Sequence, residues 1–225
     1  MRAGTLIVFE GAEGAGKTTQ IRLLADRLRG EGIESLSLRE PGGTALGDSI
    51  RSILLDPAQN ISPAAEALLF MASRAEIVAQ QIDPALASGV VVLMDRFFLS
   101  TYAYQIYGRA LPEPQVRSAN ALAAAGIVPD LTMVLEIPAS EGLERAAVRG
   151  AHDRMELSGD EFHDRVERAF AEFTDREWQR SHQECGPVAS VDGRGEPADV
   201  HARVLNTLAR NLPERFSMLS LEKAD

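Results

Sequence analysis

Cysteine, lysine, long apolar runs and positive charge are all scarce in this chain, and each shortage excludes something. Cys185 is the single cysteine among 225 residues, so neither a disulfide framework nor a cysteine zinc cluster is available. Only Lys17 and Lys223 are lysines; every other basic residue counted is arginine. No apolar run approaches the roughly 20 residues that a membrane span needs. The chain enters a strand-like run almost at once, which leaves no signal peptide. The expectation is therefore a cytoplasmic protein with no membrane partner. Basic residues number 23 against 33 acidic ones, a formal charge of −10. Such a balance argues against long nucleic acid held by its backbone, while leaving a single nucleotide to be met by local arginines. Repeats, linkers and low-complexity segments are also missing. The length predicts one domain over residues 1–212, with 213–225 as a loosely attached tail.

What is present is organised around Gly11-Ala12-Glu13-Gly14-Ala15-Gly16-Lys17-Thr18. It reads G-x-x-x-x-G-K-[ST], a phosphate-binding loop. Upstream, Thr5 to Phe9 is an apolar, β-branched run suited to a buried strand; downstream, Ile21, Leu24 and Leu28 recur at helical spacing. Glycines let the backbone turn its N–H groups inward as an anion nest, and the helix N-terminus adds partial positive charge. Lys17 suits the β- and γ-phosphates of a nucleoside triphosphate, Thr18 suits Mg²⁺, and Thr19 follows on the same turn. A carboxylate at Glu13 repels phosphate unless it meets Mg²⁺ or an arginine.

Strand and helix signals alternate to the end. Further strands are expected at 34–38, 90–94, 131–137 and 188–191. Helices are expected near 45–54, 63–82, 99–107, 113–125, 139–149, 162–173 and 200–212. Five strands alternating with helices imply an α/β fold of three layers, with a parallel sheet covered on both faces. Leu68-Leu69-Phe70-Met71 puts apolar side chains on every side of its helix, so that helix needs a second partner besides the sheet. A second copy of the chain would supply it.

Polar clusters fall at the carboxyl ends of strands, where open parallel sheets bind ligands. They are Arg39-Glu40-Pro41-Gly42-Gly43, then Asp95-Arg96 with Ser100 to Gln105, then a polar stretch holding Arg149 and Arg154. Phe70 and Arg74 are four apart and share a helix face. A ring beside a guanidinium makes a platform for a base.

In order, F-E-G-x-E-G-A-G-K-T-T, R-E-P-G-G-T, F-x-x-x-R, D-R-x-x-x-S-T-x-A-Y-Q and P-D-L-T resemble the bacterial thymidylate kinases over about residues 5–205. The resemblance implies a P-loop kinase fold with a five-stranded parallel sheet, a short lid at about 149–160, and usually a homodimer. It implies Mg²⁺-dependent transfer of the γ-phosphoryl of ATP to dTMP. In that family, residues matching Phe70 and Arg74 hold the thymine, the one matching Thr101 lies by the base edge, and the one matching Tyr104 lies by the deoxyribose. Those matching Arg39 and Arg96 approach the acceptor phosphate; Pro41 and Gln105 go with the same substrate site. Asp95 is expected to hold Mg²⁺ with Thr18, directly or through water. None of the loop's variable positions is basic, so the cation that steadies the transferring group is expected from the lid, at Arg149 or Arg154. A kinase for another nucleotide and a slowly hydrolysing regulatory switch are the competing readings; no N-K-x-D-like motif favours the latter.

Overall fold

The computed structural model describes residues 3–138, 141, 142, 145 and 153–221. Strands β1 Thr5–Glu10, β2 Ser35–Arg39, β3 Val91–Asp95, β4 Leu131–Glu136 and β5 Val188–Asp192 form one sheet. All its pairs are parallel, in the order β2-β3-β1-β4-β5. The expected α/β architecture is therefore present, with strand ends shifted by about a residue from those expected, within the ordinary uncertainty of assignment.

Period-2 alternation explains how both sheet faces become core. Leu6 and Val8 of β1 point into one cluster with Val92, Met94 and Val134. Ile7 and Phe9 point into the other with Leu93, Met133 and Leu135. Helix α1 Lys17–Gly30 covers the second face through Ile21, Leu24 and Leu28. The first face lies under the long helical run that starts as α2 Ala45–Leu55 and α3 Pro63–Ile77 and continues through Ile82 and α4 Asp83–Ala87. After β3, α5 Phe98–Thr101 runs into wider turns at Tyr102–Gly108, followed by α6 Glu113–Ala124. The helix expected over 139–149, and the lid's first residues, fall mostly outside the described residues. Beyond them come α7 Asp160–Phe173, α8 Arg176–Ser181, α9 Pro197–Asn211 and α10 Pro213–Phe216.

Connections from β1 run to one side of the sheet and those from β3 to the other, so the crevice between β1 and β3 is the switch point where ligands gather. Register brings Phe9 level with Asp95, and Asp95 level with Arg39. Among the described residues no helix is long and apolar enough to cross a membrane.

Within this chain Leu68 of helix α3 is 63% exposed, and Leu46, Ile53 and Leu122 are also exposed. These lie on α2 and α6, both of which pack against α3. The tail is where an expectation changes. Phe216 and Leu219 are fully buried with α9 and the β1 face. Arg215 donates to the carbonyls of Ala3 and Gly89 and to the Thr5 hydroxyl. Residues 213–219 are thus anchored to the core through Phe216 and Leu219, two buried side chains among mostly exposed neighbours.

Phe216→Ala should accordingly cost about 3–5 kcal/mol of stability by chemical denaturation, the range for a deleted buried ring. A loose tail would give a change below about 0.5 kcal/mol.

Candidate active site

The phosphate loop leaves β1 at Glu10 and closes on α1. Gly14 has φ +72°, and a Cβ there would stand 2.0 Å from the carbonyl oxygen of Gly142. Glycine is therefore demanded twice, by the left-handed backbone and by the close approach of another chain segment. Gly16, at φ +89°, starts the helix. Lys17 folds back over the loop and donates to the carbonyls of Gly11 (2.9 Å) and Ala12 (2.8 Å). Burial, then nearby Arg96, pushes its ammonium down to about 8 against the opposing pull of Glu13, Asp95 and Glu10.

Thr18 donates its hydroxyl to Asp95 Oδ2 at 2.7 Å. Two hard oxygen donors at this spacing suit Mg²⁺, which takes few protein ligands and completes its shell with water and phosphate.

Arg96 follows β3 with φ +70°, a strained conformation for arginine. It donates to Ser100 Oγ at 2.9 Å and to the Gly11 carbonyl at 3.3 Å, pairs with Glu13, and stands 5.2 Å from the Tyr104 ring centre. Burial works against its charge, but Glu13 and the other anionic neighbours outweigh it and hold Arg96 more firmly protonated than a free arginine. The acid in the loop has thus met an arginine. Burial raises the Tyr104 phenol above its ordinary range, so the hydroxyl stays neutral. Glu10, the last residue of β1, accepts from the N–H groups of Phe97 and Ser100 and from Ser100 Oγ, fixing the turn that aims Arg96.

Glu13, Lys17, Thr18, Asp95, Arg96, Ser100 and Tyr104 line one cleft of about 910 Å³ together with Thr19, Arg39, Pro41, Phe70, Arg74, Thr101 and Gln105. The Arg39 side chain, exposed at the end of β2, makes no hydrogen bond or ion pair among the described residues. Arg74 is the opposite case. It is 2% exposed, and its five N–H groups meet Glu40 twice, the Phe97 carbonyl, Thr101 and Asn120. Burial pulls Glu40 above the usual carboxylate range, while Arg74 opposes it.

Arg154 needs correcting. The expected lid cation does not reach the cleft: its guanidinium meets Glu66 at 2.7 Å, the Leu54 carbonyl at 2.7 Å and the Met155 sulfur. A fully buried carboxylate holds a guanidinium better than solvent can. Arg149 lies outside the described residues. Arg145, which pairs with Glu141, does line the cleft.

Arg51 is a residue that the sequence reading missed. It lines the cleft from α2 and donates to the Pro41 carbonyl at 3.0 Å. Burial, then Arg39, lowers its affinity for a proton. Its signal was its place in the helix that Thr44 caps just after the Arg39–Gly43 cluster, and two arginines converging on a cleft signal an anion.

The family model described as "Thymidylate kinase" matches residues 9–183. A protein named "Thymidylate kinase" from Synechococcus sp. is 47% identical over 209 residues, covering 92% of this chain and 95% of that protein. One of the same name from Carboxydothermus hydrogenoformans is 43% identical, covering 88% and 93%. A third, from Deinococcus radiodurans, is 46% identical, covering 80% and 87%.

The depressed lysine gives a prediction. Anionic phosphate restores the ordinary proton affinity of Lys17, so a triphosphate bound at pH above about 8 has to take up a proton. At pH 6.5 both states are already protonated and uptake vanishes. Calorimetry in buffers of differing ionisation enthalpy should show uptake at pH 8.5, and Lys17→Met should abolish it.

Proposed function

The chain belongs to the thymidylate kinase family, and on that footing we propose that it transfers the γ-phosphoryl group of ATP to dTMP, giving dTDP and ADP. The observation that carries the reading is a phosphate loop and an arginine-lined acceptor side in one cleft with Phe70, Thr101 and Tyr104.

The acceptor needs no strong general base, because a phosphate monoester is already largely ionised near neutrality, with a second pKa of about 6. Catalysis then rests on in-line positioning and charge neutralisation. Lys17 leaves its carbonyl partners for the β- and γ-phosphates, which the loop N–H groups from Gly11 to Thr19 cradle. Thr18 and Asp95 would hold Mg²⁺, which when bound would supply positive charge to offset that of the phosphates. Arg96, Arg39 and Arg51 receive the acceptor phosphate, with Glu13 keeping Arg96 in place until then. Phe70 stacks on the thymine, and Thr101, Gln105 and Pro41 bound the same pocket. Arg74 donates to the base by exchanging its bond to Thr101, which lies on the same wall. Tyr104 excludes a ribose 2′-hydroxyl by bulk. The lid cation is assigned to Arg149.

The same reading takes the chain as one cytoplasmic kinase domain, extending through Leu219, and as a homodimer. Support for the dimer comes from Leu46, Ile53, Leu68 and Leu122, four exposed apolar side chains on three packed helices; such a face is what a C2 interface covers.

Two measurements test this. With ATP and Mg²⁺, ADP release should be fastest with dTMP among nucleoside monophosphates. It should be weaker with dUMP, whose missing methyl is worth roughly 1 kcal/mol or somewhat more in an apolar notch. Equal turnover of dAMP, dGMP or dCMP contradicts the assignment. Sedimentation at micromolar concentration should give a dimer for the wild type and a monomer for Leu122→Glu.

A further inference from the structure

Behind the acceptor wall lies a charge cluster that phosphoryl transfer does not use. Glu66, in the first turn of α3, has a side chain with no exposure. Its Oε2 accepts from Arg154 Nη1 at 2.7 Å and Arg109 Nη2 at 3.1 Å. Its Oε1 accepts from Arg109 Nε and Gln105 Nε2, each at 3.1 Å. A carboxylate has about four acceptor positions, so this one is saturated.

Each partner is tied onward. The Arg154 main-chain N–H donates to the Leu55 carbonyl at 3.1 Å, and its Nε donates to that of Leu54. Arg109 Nη2 also reaches Ser158 Oγ at 3.0 Å, and its guanidinium lies 4.3 Å from the Phe162 ring centre. One carboxylate therefore joins the end of α2, the start of α3, the turns around 105–109 and the segment 154–158. That last segment is the C-terminal part of the lid expected at about 149–160, and Asp153, Met155 and Gln105 all line the cleft.

We propose that Glu66 is a positioning residue: it latches segment 154–158 to the acceptor helix and fixes the orientation of the Gln105 amide. The kinetic part of this inference rests on the phosphoryl-transfer reading; the latch itself does not. Two guanidinium groups converge on a single buried negative charge, so the cluster holds together only while Glu66 is ionised and in place. Removing the charge leaves Arg109 and Arg154 repelling each other at low dielectric. Arg154, on a connecting segment, is the partner able to leave. Gln105 is oriented by the same carboxylate. Flipping its amide would set a carbonyl oxygen against Glu66 Oε1, an unfavourable contact that only an acceptor at that position enforces. Phe70 and Arg74 follow Glu66 on α3, so the helix that presents the base platform also anchors segment 154–158.

Glu66→Gln preserves the shape but turns an NH₂ group toward at least one guanidinium, donor against donor. Full-length wild type, Glu66→Gln, Arg154→Met and the double variant are compared by amide hydrogen exchange without substrate, and by kinetics with ATP and dTMP well below the unfolding temperature. In Glu66→Gln, amides across 154–158 should exchange about tenfold faster or more, while those of β1 and β3 keep their protection. The kcat should fall about tenfold, and adding Arg154→Met should lower it by less than about twofold further, because both changes open one latch. Unchanged exchange at 154–158, or faster exchange throughout the chain, overturns the latch. Multiplying effects in the double variant overturn it as well. If wild type itself fails to use dTMP, the functional reading falls while the exchange experiment still decides the latch.

Discussion

Mutual repulsion among cations is the constraint that the cleft obeys. Among the described residues, Lys17, Arg39, Arg51, Arg74, Arg96 and Arg145 line it. Two unit charges about 6 Å apart repel by about 3 kcal/mol at an effective dielectric of about 20, and a domain is stable by only about 5–15 kcal/mol in all. The chain answers with oxygens of its own. Glu13 pairs with Arg96, Glu40 with Arg74 and Glu141 with Arg145, while the Gly11 and Ala12 carbonyls hold Lys17. Arg39 lacks such a partner and is exposed, where water screens its charge. On the phosphoryl-transfer reading, phosphate oxygens replace these partners at Lys17 and Arg96 when substrates bind.

The pairs differ in how readily they exchange. Arg96 and Glu13 keep 16% and 27% exposure, whereas Arg74 and Glu40 keep 2% and 4%. Breaking a pair of the second kind strands a charge away from water at a cost of about 3–5 kcal/mol. Arg74 is therefore held as part of the wall, with Phe97 and Phe98 rings 4.8 and 5.7 Å from its guanidinium carbon, and Arg96 remains the adaptable cation. On the phosphoryl-transfer reading this sets a rigid base platform beside an adjustable phosphate clamp. Base selection depends on a fixed shape, while phosphoryl transfer requires charge to follow the transferring group.

What the sequence disclosed was what local patterning controls. The phosphate loop, the strand at Val91–Asp95 and the helix after Lys17 each carry their signal within a few residues. What stayed hidden depends on contacts distant in sequence. Arg154 lay in a polar, glycine-bearing stretch and read as a lid residue; only the fold brings it to Glu66, whose burial no neighbouring residue announces. Arg51 resembled an ordinary helix-surface arginine until the end of β2 put Arg39 and Pro41 beside it. The last turn misled for a related reason: Phe216 and Leu219 are two anchors in a stretch that otherwise reads as solvent-facing, and burial depends on where α9 delivers them.

The scarcity of lysine now has a chemical rationale. Arg74, Arg96 and Arg145 of the cleft face carboxylates, and a guanidinium fork can meet such an anion with two directed bonds while staying charged at any ordinary pH. The phosphate loop asks for something else. Its cation must fold back on two carbonyls 2.9 and 2.8 Å away and also be able to swing toward a bound phosphate. A compact ammonium on a flexible stem does both, with three donors that rotate freely. Its charge is tunable as well: burial and Arg96 bring Lys17 to about 8. A second lysine in the cleft would be depressed by the same neighbours, and its charge would become uncertain near neutrality. Arginine everywhere except the loop keeps the remaining charges constant, so that the one group whose protonation depends on the ligand is the one in direct reach of the triphosphate.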